Sequence, residues 1–142
     1  MANLRSAAAE LGKAGLQLLI EPINNHDSPD FWLNRTDRAV SVLHEVGAAN
    51  AFVHYDIHHA QRYKGELAVT MTKYPMTKYL PRVGHILLAD NPGHREPGTG
   101  KIDFTCLFKH RNRIGYTGWT GCEYKPATTT EAGLGWRQQL AQ

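Results

Sequence analysis

Three observations predict an α/β fold built on a parallel sheet. Four short apolar segments, Gln17 to Ile20, Ala51 to Tyr55, Gly84 to Ala89 and Gly118 to Cys122, begin 34, 33 and 34 residues apart. Stretches of helical periodicity lie between them, and turn residues separate the two kinds of segment. A strand followed by a helix at that interval is the βα unit of a parallel sheet. Solenoid repeats have similar lengths, but the four units share no leucine-rich or other repeat consensus.

Each element has its own signal. Leu4 to Ala14 reads as an opening helix, and the first strand runs into Glu21-Pro22. Ala39, Val40, Leu43 and Val46 then recur at helical spacing, with an N-cap expected at Thr36-Asp37 and a stop at Gly47. After the second strand, Met71-Thr72-Lys73-Tyr74 reappears as Met76-Thr77-Lys78-Tyr79 around Pro75, a five-residue tandem duplication. Five added residues turn a helix face by roughly 140°, and proline removes a helical hydrogen bond, so a kinked or broken helix is expected there. Phe104, Leu107, Phe108 and Ile114 mark the helix after the third strand, capped by Asp103 or Thr105, and Leu134 to Leu140 reads as a closing helix.

Composition narrows the function. The 142 residues carry 16 Lys and Arg against 13 Asp and Glu, with 42% apolar residues, which suits one folded domain over residues 1–142. The net charge of +3 is dispersed among acids, so no basic footprint for nucleic acid or for a membrane surface is expected. Apolar runs such as Leu18 to Ile20 fall far short of a membrane span, and the first residues lack the apolar core of a signal peptide. A cytoplasmic chain is the expectation. Cys106 and Cys122 fit a reducing compartment, although two cysteines can pair where geometry allows, and no zinc-type Cys/His spacing occurs.

Three of the four predicted strands end on an acid: Glu21 in Leu18-Leu19-Ile20-Glu21, Asp56 in Val53-His54-Tyr55-Asp56, and Glu123 in Gly121-Cys122-Glu123. The carboxyl ends of parallel strands are where α/β folds place their active sites. Converging carboxylates repel one another unless a cation joins them, and hard oxygen donors suit Mg²⁺ or Mn²⁺ better than zinc. The competing reading makes each acid a separate solvated strand end. All three at equivalent positions favour a site.

Several blocks stand out in order along the chain: Leu19-Ile20-Glu21-Pro22-Ile23-Asn24, Asp56-Ile57-His58-His59-Ala60-Gln61, Ala89-Asp90-Asn91-Pro92-Gly93, Glu96-Pro97-Gly98-Thr99-Gly100, Gly121-Cys122-Glu123-Tyr124-Lys125-Pro126 and Thr130 to Trp136. Together they resemble the hydroxypyruvate isomerase family of the xylose isomerase-like TIM barrels. The resemblance implies a partial, half TIM barrel: four parallel βα units corresponding to strands five to eight, with the first four strands absent. A complete barrel takes about 250 residues.

The resemblance also implies chemistry. Glu21 and Glu123 match the family's proton donor and acceptor, and Glu21, Asp56 and Glu123 match a divalent metal site, for Mg²⁺ or Mn²⁺, with no organic cofactor. His59, His85 and Arg95 are the substrate-binding candidates. For His59 and His85 the competing readings are a solvated loop histidine and a hydrogen-bonded interior one. The implied reaction interconverts hydroxypyruvate and tartronate semialdehyde through an enediol, within glyoxylate and carbohydrate metabolism. Two alternatives stand beside it: a 2-oxo-tetronate or ketose isomerase or epimerase, and a truncated non-catalytic paralogue that pairs with a full-length isomerase.

Departures from the family pattern are informative. Leu87 stands where the family has a Gln oxygen ligand, His94-Arg95 inverts the usual order after Asn91-Pro92-Gly93, and Lys101 replaces a glutamate. The implied partners are a small hydroxy or oxo acid and no nucleic acid or membrane. A homo-oligomer, or pairing through exposed sheet edges, is expected because open edges invite another chain.

Overall fold

A computed structural model describes residues 1–64 and 79–140. It contains one sheet of four parallel strands, β1 (Leu18–Ile20), β2 (Ala51–Asp56), β3 (Val83–Leu88) and β4 (Trp119–Cys122), hydrogen-bonded in that order. Consecutive parallel strands need crossovers, and helices supply them. Among the described residues the α-helices are α1 (Ala2–Lys13), α2 (Thr36–Val46), α3 (Ile57–Lys64), α4 (Phe104–Arg113) and α5 (Trp136–Leu140). The predicted parallel sheet is therefore present, each strand within two residues of its predicted start. Residues 71–78 of the duplication, and the kinked helix expected from it, lie outside the described residues.

Side chains alternate along each strand, so one face of the sheet meets the helices and the other is left for the site. Ile20, Val53, Tyr55, Ile86 and Leu88 on the first face join Ala39, Val42, Leu43 and Val46 of α2 and Phe104 and Leu107 of α4 in one buried cluster. Each large apolar side chain buried there contributes about 1.5–3 kcal/mol, which explains why the apolar periodicity was strong enough to read. The opposite face carries Leu19, Phe52, His54, His85 and Leu87. Register is interrupted once: Val53 pairs with Val83 but His54 pairs with His85, so β3 holds one extra residue at Gly84. That bulge sets His85 level with His54, and Leu87 level with Asp56.

Helix ends follow local chemistry, with one correction. Thr36 is already helical and Arg35, extended at φ −139°, is the N-cap without a side-chain bond. Asp37 falls in the first turn, where its carboxylate suits the positive end of the helix dipole and is gripped by Arg35 at 2.9 and 2.8 Å. Gly47 closes α2 at φ 73°, and Asp103, not Thr105, caps α4 by accepting from the Cys106 N–H at 2.9 Å.

Cys106 and Cys122 are both exposed and unbridged. No helix among the described residues is long and apolar enough to cross a membrane. At the sheet's ends, β1 and β4 each pair on one side within the described residues, and Trp119 on β4 is 84% exposed.

Candidate active site

The sheet carries its acids to one end. Glu21 directly follows β1, Asp56 is the last residue of β2, and Glu123 directly follows β4. The Glu123 N–H donates to the Leu88 carbonyl at 3.2 Å, extending the β3–β4 ladder one residue past the strand. By the two-residue period, Glu21, Asp56 and Glu123 project on the same side as Leu19, His54 and Gly121. Close contacts define that side. A Cβ on Gly121 would lie 2.7 Å from His85 Cε1, so the strand must carry glycine for His85 to keep its place.

The three acids act on one another electrostatically. Burial, and then the negative charge of Glu123, raise the Glu21 carboxyl above its ordinary value. Asp56, buried at 4% exposure, is pushed up to about 7, mainly by burial and further by Glu21 and Glu123, against the opposing backbone N–H groups of His59 and His58. The His59 N–H reaches Asp56 Oδ1 at 2.8 Å. A small cavity of about 30 Å³ adjoins Asp56, His54 and His59, enough for a water molecule.

Among the described residues, two groups of side chains bring potential ligand atoms within 4.8 Å of one another: Glu21, Asp56 and His59, and Asp27, His58 and His59. They differ in chemistry. The first holds two carboxylates whose ionisation is opposed by burial and mutual charge, a donor set that a hard divalent cation satisfies. In the second, the Asn24 amide already bridges Asp27 Oδ2 at 2.8 Å and His59 Nδ1 at 2.6 Å. An N–H donor there occupies the lone pairs a cation would need.

The remaining predicted residues divide. His59 starts beside Asp56 on α3 and joins the acids; burial first, then His58, His94 and Arg62, push its pKa down to about 4 against the pull of Asp27, so it is neutral at pH 7. His85 lies further down the same face, its Nδ1 2.9 Å from His54 Nε2, and His54 Nδ1 is 3.8 Å from Glu21 Oε2. It therefore reaches the acids through His54. Arg95 is exposed on the loop after β3. Leu87, 5% exposed and level with Asp56, brings an apolar side chain to the layer where an oxygen ligand was missing from the sequence.

Sequence reasoning missed a second set of residues. Asn24 and Asp90 are both completely buried. Asp90 accepts from four backbone N–H groups, those of Asn91 (2.7 Å), Gly98 (2.9 Å), Gly100 (2.8 Å) and Ile102 (3.2 Å), and so ties the loop after β3 into one shape. A Cβ on Gly100 would sit 2.4 Å from Asp90 Oδ1, which makes glycine obligatory in that loop. His58 lies between Asp27 Oδ2 (3.1 Å) and the Asp90 carbonyl (3.0 Å), with the His94 ring stacked on it at 4.2 Å. The sequence offered one clue to these residues: polar side chains directly beyond an apolar strand must find partners if the chain keeps them buried.

Comparison with known proteins adds the family. The chain is 50% identical over 134 residues to hydroxypyruvate isomerase of Escherichia coli (strain K12), covering 94% of this chain and 50% of that protein. It is 40% identical over 134 residues to 2-oxo-tetronate isomerase of Cupriavidus necator, again covering 94% and 50%. A crystal structure described as AP endonuclease, family 2, from Brucella melitensis superposes with a TM-score of 0.84 at 33% identity, covering 97% of this chain and 52% of that one. The chain thus spans about half the length of the curated relatives it matches. Residues 1–140 match the family model for the xylose isomerase-like TIM barrel, and the chain belongs to that family.

Proposed function

We propose that this chain carries the isomerising site of a hydroxypyruvate isomerase. The observation that supports it is the convergence of Glu21 and Asp56 with His59, ligand atoms within 4.8 Å of one another, at the end of the sheet where Glu123 follows β4. In hydroxypyruvate the carbonyl carbon lies between the carboxylate and a hydroxymethyl carbon. One glutamate takes a proton from the hydroxymethyl carbon, leaving an enediolate with its charge on the former carbonyl oxygen. The other returns a proton to the neighbouring carbon, while the hydroxyl proton passes between the two oxygens. Glu21, whose carboxyl is raised by burial and by Glu123, is suited to hold the proton that is returned. His59 offers a neutral N–H to the oxygen on which charge develops, and Arg95 is the group that grips the substrate carboxylate.

Glu21, Asp56 and Glu123 would hold a divalent ion, Mg²⁺ or Mn²⁺, and when bound it supplies Lewis-acid polarisation of the carbonyl. The reading extends to the sheet's ends, where the edges of β1 and β4 pair with another chain; sedimentation of the purified protein reads this directly.

Solvent exchange tests the chemistry more sensitively than net turnover. In D₂O with Mn²⁺, hydroxypyruvate should acquire deuterium at its hydroxymethyl carbon. Glu21→Gln and Glu123→Gln should each slow that exchange about 10²–10⁴-fold. Exchange that both variants leave intact would overturn the reading. Exchange confined to a 2-oxo-tetronate would move the assignment to the second relative's activity, which this site favours less because no described feature recognises a fourth carbon.

A further inference from the structure

We infer that Asn24 is a positioning residue that fixes the tautomer of His59, placing the ring proton on Nε2 and making this histidine a hydrogen-bond donor and not a metal ligand. The inference deepens the proposed function and rests on its reading of His59 as facing the substrate.

The assignment follows from counting donors and acceptors. Asn24 is fully buried, and its Oδ1 accepts from the backbone N–H groups of His26 at 3.0 Å and Asp27 at 2.9 Å. That turn identifies the amide oxygen unambiguously, because two N–H groups can be satisfied only by an acceptor. The nitrogen Nδ2 must then be the atom facing Asp27 Oδ2 at 2.8 Å and His59 Nδ1 at 2.6 Å. An amide nitrogen donates two hydrogens and accepts none. The carboxylate takes one, and His59 Nδ1 takes the other on its lone pair. A neutral imidazole whose Nδ1 accepts carries its proton on Nε2.

Neighbours keep the amide from turning over. Asp27 Oδ2 also meets His58 Nε2 at 3.1 Å, and Asp27 Oδ1 lies 3.1 Å from Arg62 Nε. The His59 backbone is held separately, by Asp56. Ligation of a metal through Nε2 would require the proton on Nδ1, and metal-bound histidines normally donate that second N–H to an oxygen. Here the second nitrogen faces a donor. His59 is therefore excluded from the cation site although its ring stands beside Glu21 and Asp56.

The test is long-range ¹H–¹⁵N spectroscopy of the chain labelled at its histidine rings, with the His59→Gln spectrum identifying the His59 signals. At pH 7 the expected result is a protonated Nε2 and a bare Nδ1. A protonated Nδ1 would overturn the inference. In Asn24→Ala the tautomers should mix, and in Asn24→Asp, which presents an acceptor, the proton should move to Nδ1. A tautomer unchanged in Asn24→Ala would also overturn it. Solvent exchange of hydroxypyruvate should fall about 10²-fold in Asn24→Asp. Absence of exchange in the parent chain, with the expected tautomers present, would sink the proposed reaction and leave the role of Asn24 standing.

Discussion

Replacing Asp56 with asparagine should stabilise the metal-free chain at alkaline pH, an unusual outcome for a residue in a proposed active site. The carboxyl is 4% exposed, and its pKa is pushed from 3.8 up to about 7, first by burial and then by the charges of Glu21 and Glu123. In the unfolded chain it titrates at its ordinary value. Between the two values the folded chain retains a proton that the unfolded chain has released. Stability contributed by this group is therefore complete below about pH 4 and is lost as pH rises toward about 7. A separation of roughly three pH units corresponds to about 4 kcal/mol as an upper bound. In Asp56→Asn the amide oxygen still accepts from the His59 N–H, and no charge forms. The variant should exceed the parent by about 2–4 kcal/mol at pH 8 in a chelator, and match it within about 1 kcal/mol near pH 4. Urea midpoints at equal m-values measure both differences. Excess Mn²⁺ should then raise the parent's midpoint and leave the variant's unchanged, since only the parent has the full acid set. A variant no more stable than the parent at pH 8, or a parent whose stability is flat from pH 4 to 8, would refute this account.

Other perturbations test the surrounding frame. Asp90→Asn exchanges an oxygen that accepts backbone N–H groups for an amide that donates; the cost should be about 2–4 kcal/mol in urea, with faster proteolysis across residues 91–102. Gly121→Ala places a methyl group 2.7 Å from the His85 ring, and should cost about 1–3 kcal/mol while shifting the His54 and His85 ring signals in NMR spectra. Leu87→Gln restores a side-chain oxygen level with Asp56 and should tighten Mn²⁺ binding about tenfold in a titration calorimeter, a gain of about 1.4 kcal/mol. Unchanged affinity would show that position 87 does not reach the acids.

How much was legible in the sequence depends on which forces wrote it. The strands and helices of the outer face were readable because burial imposes a period: Ala39, Leu43 and Val46 had to share a stripe, where the structure buries Val42 more fully than the expected Val40, and Val53 and Tyr55 had to alternate with Phe52 and His54. The strand-end acids stood out for the converse reason, as charges directly abutting apolar runs. Asn24, Asp27 and His58 left no such trace, and Asp90, which does abut an apolar run, gave no sign of the loop it binds. Their partners lie 31 to 35 residues away for His59 and His58, or are backbone groups of a loop, and nothing periodic links them. The α2 cap was misplaced for a local reason, since Asp37 is bound by Arg35 and has no need to cap. The extra residue at Gly84 was invisible too, because a bulge changes register without changing composition.

The two networks that meet at His59 make opposite demands on charge, and the structure keeps them apart. Toward the strand ends, burial and neighbouring negative charge raise the carboxyls of Glu21 and Asp56, which opposes their ionisation in the absence of a cation. Toward the loops, Asp27 gathers Asn24, His58 and Arg62, and its carboxyl is lowered by hydrogen bonds from Asn24 and His58 and by the charge of Arg62, which together outweigh its own desolvation. A protonated His59 would serve the first network as a built-in cation and compete with a divalent ion for the acids. Burial, together with His58, His94 and Arg62, prevents that protonation, while Asn24 supplies the hydrogen that Nδ1 would otherwise have to carry. In the proposed site, the neutral ring would leave the negative charge of the strand ends available to a metal and still present an N–H beside it. Neutrality at His59, set first by burial and then by the loop network, is what would allow an acidic site and a hydrogen-bond donor to share one small space.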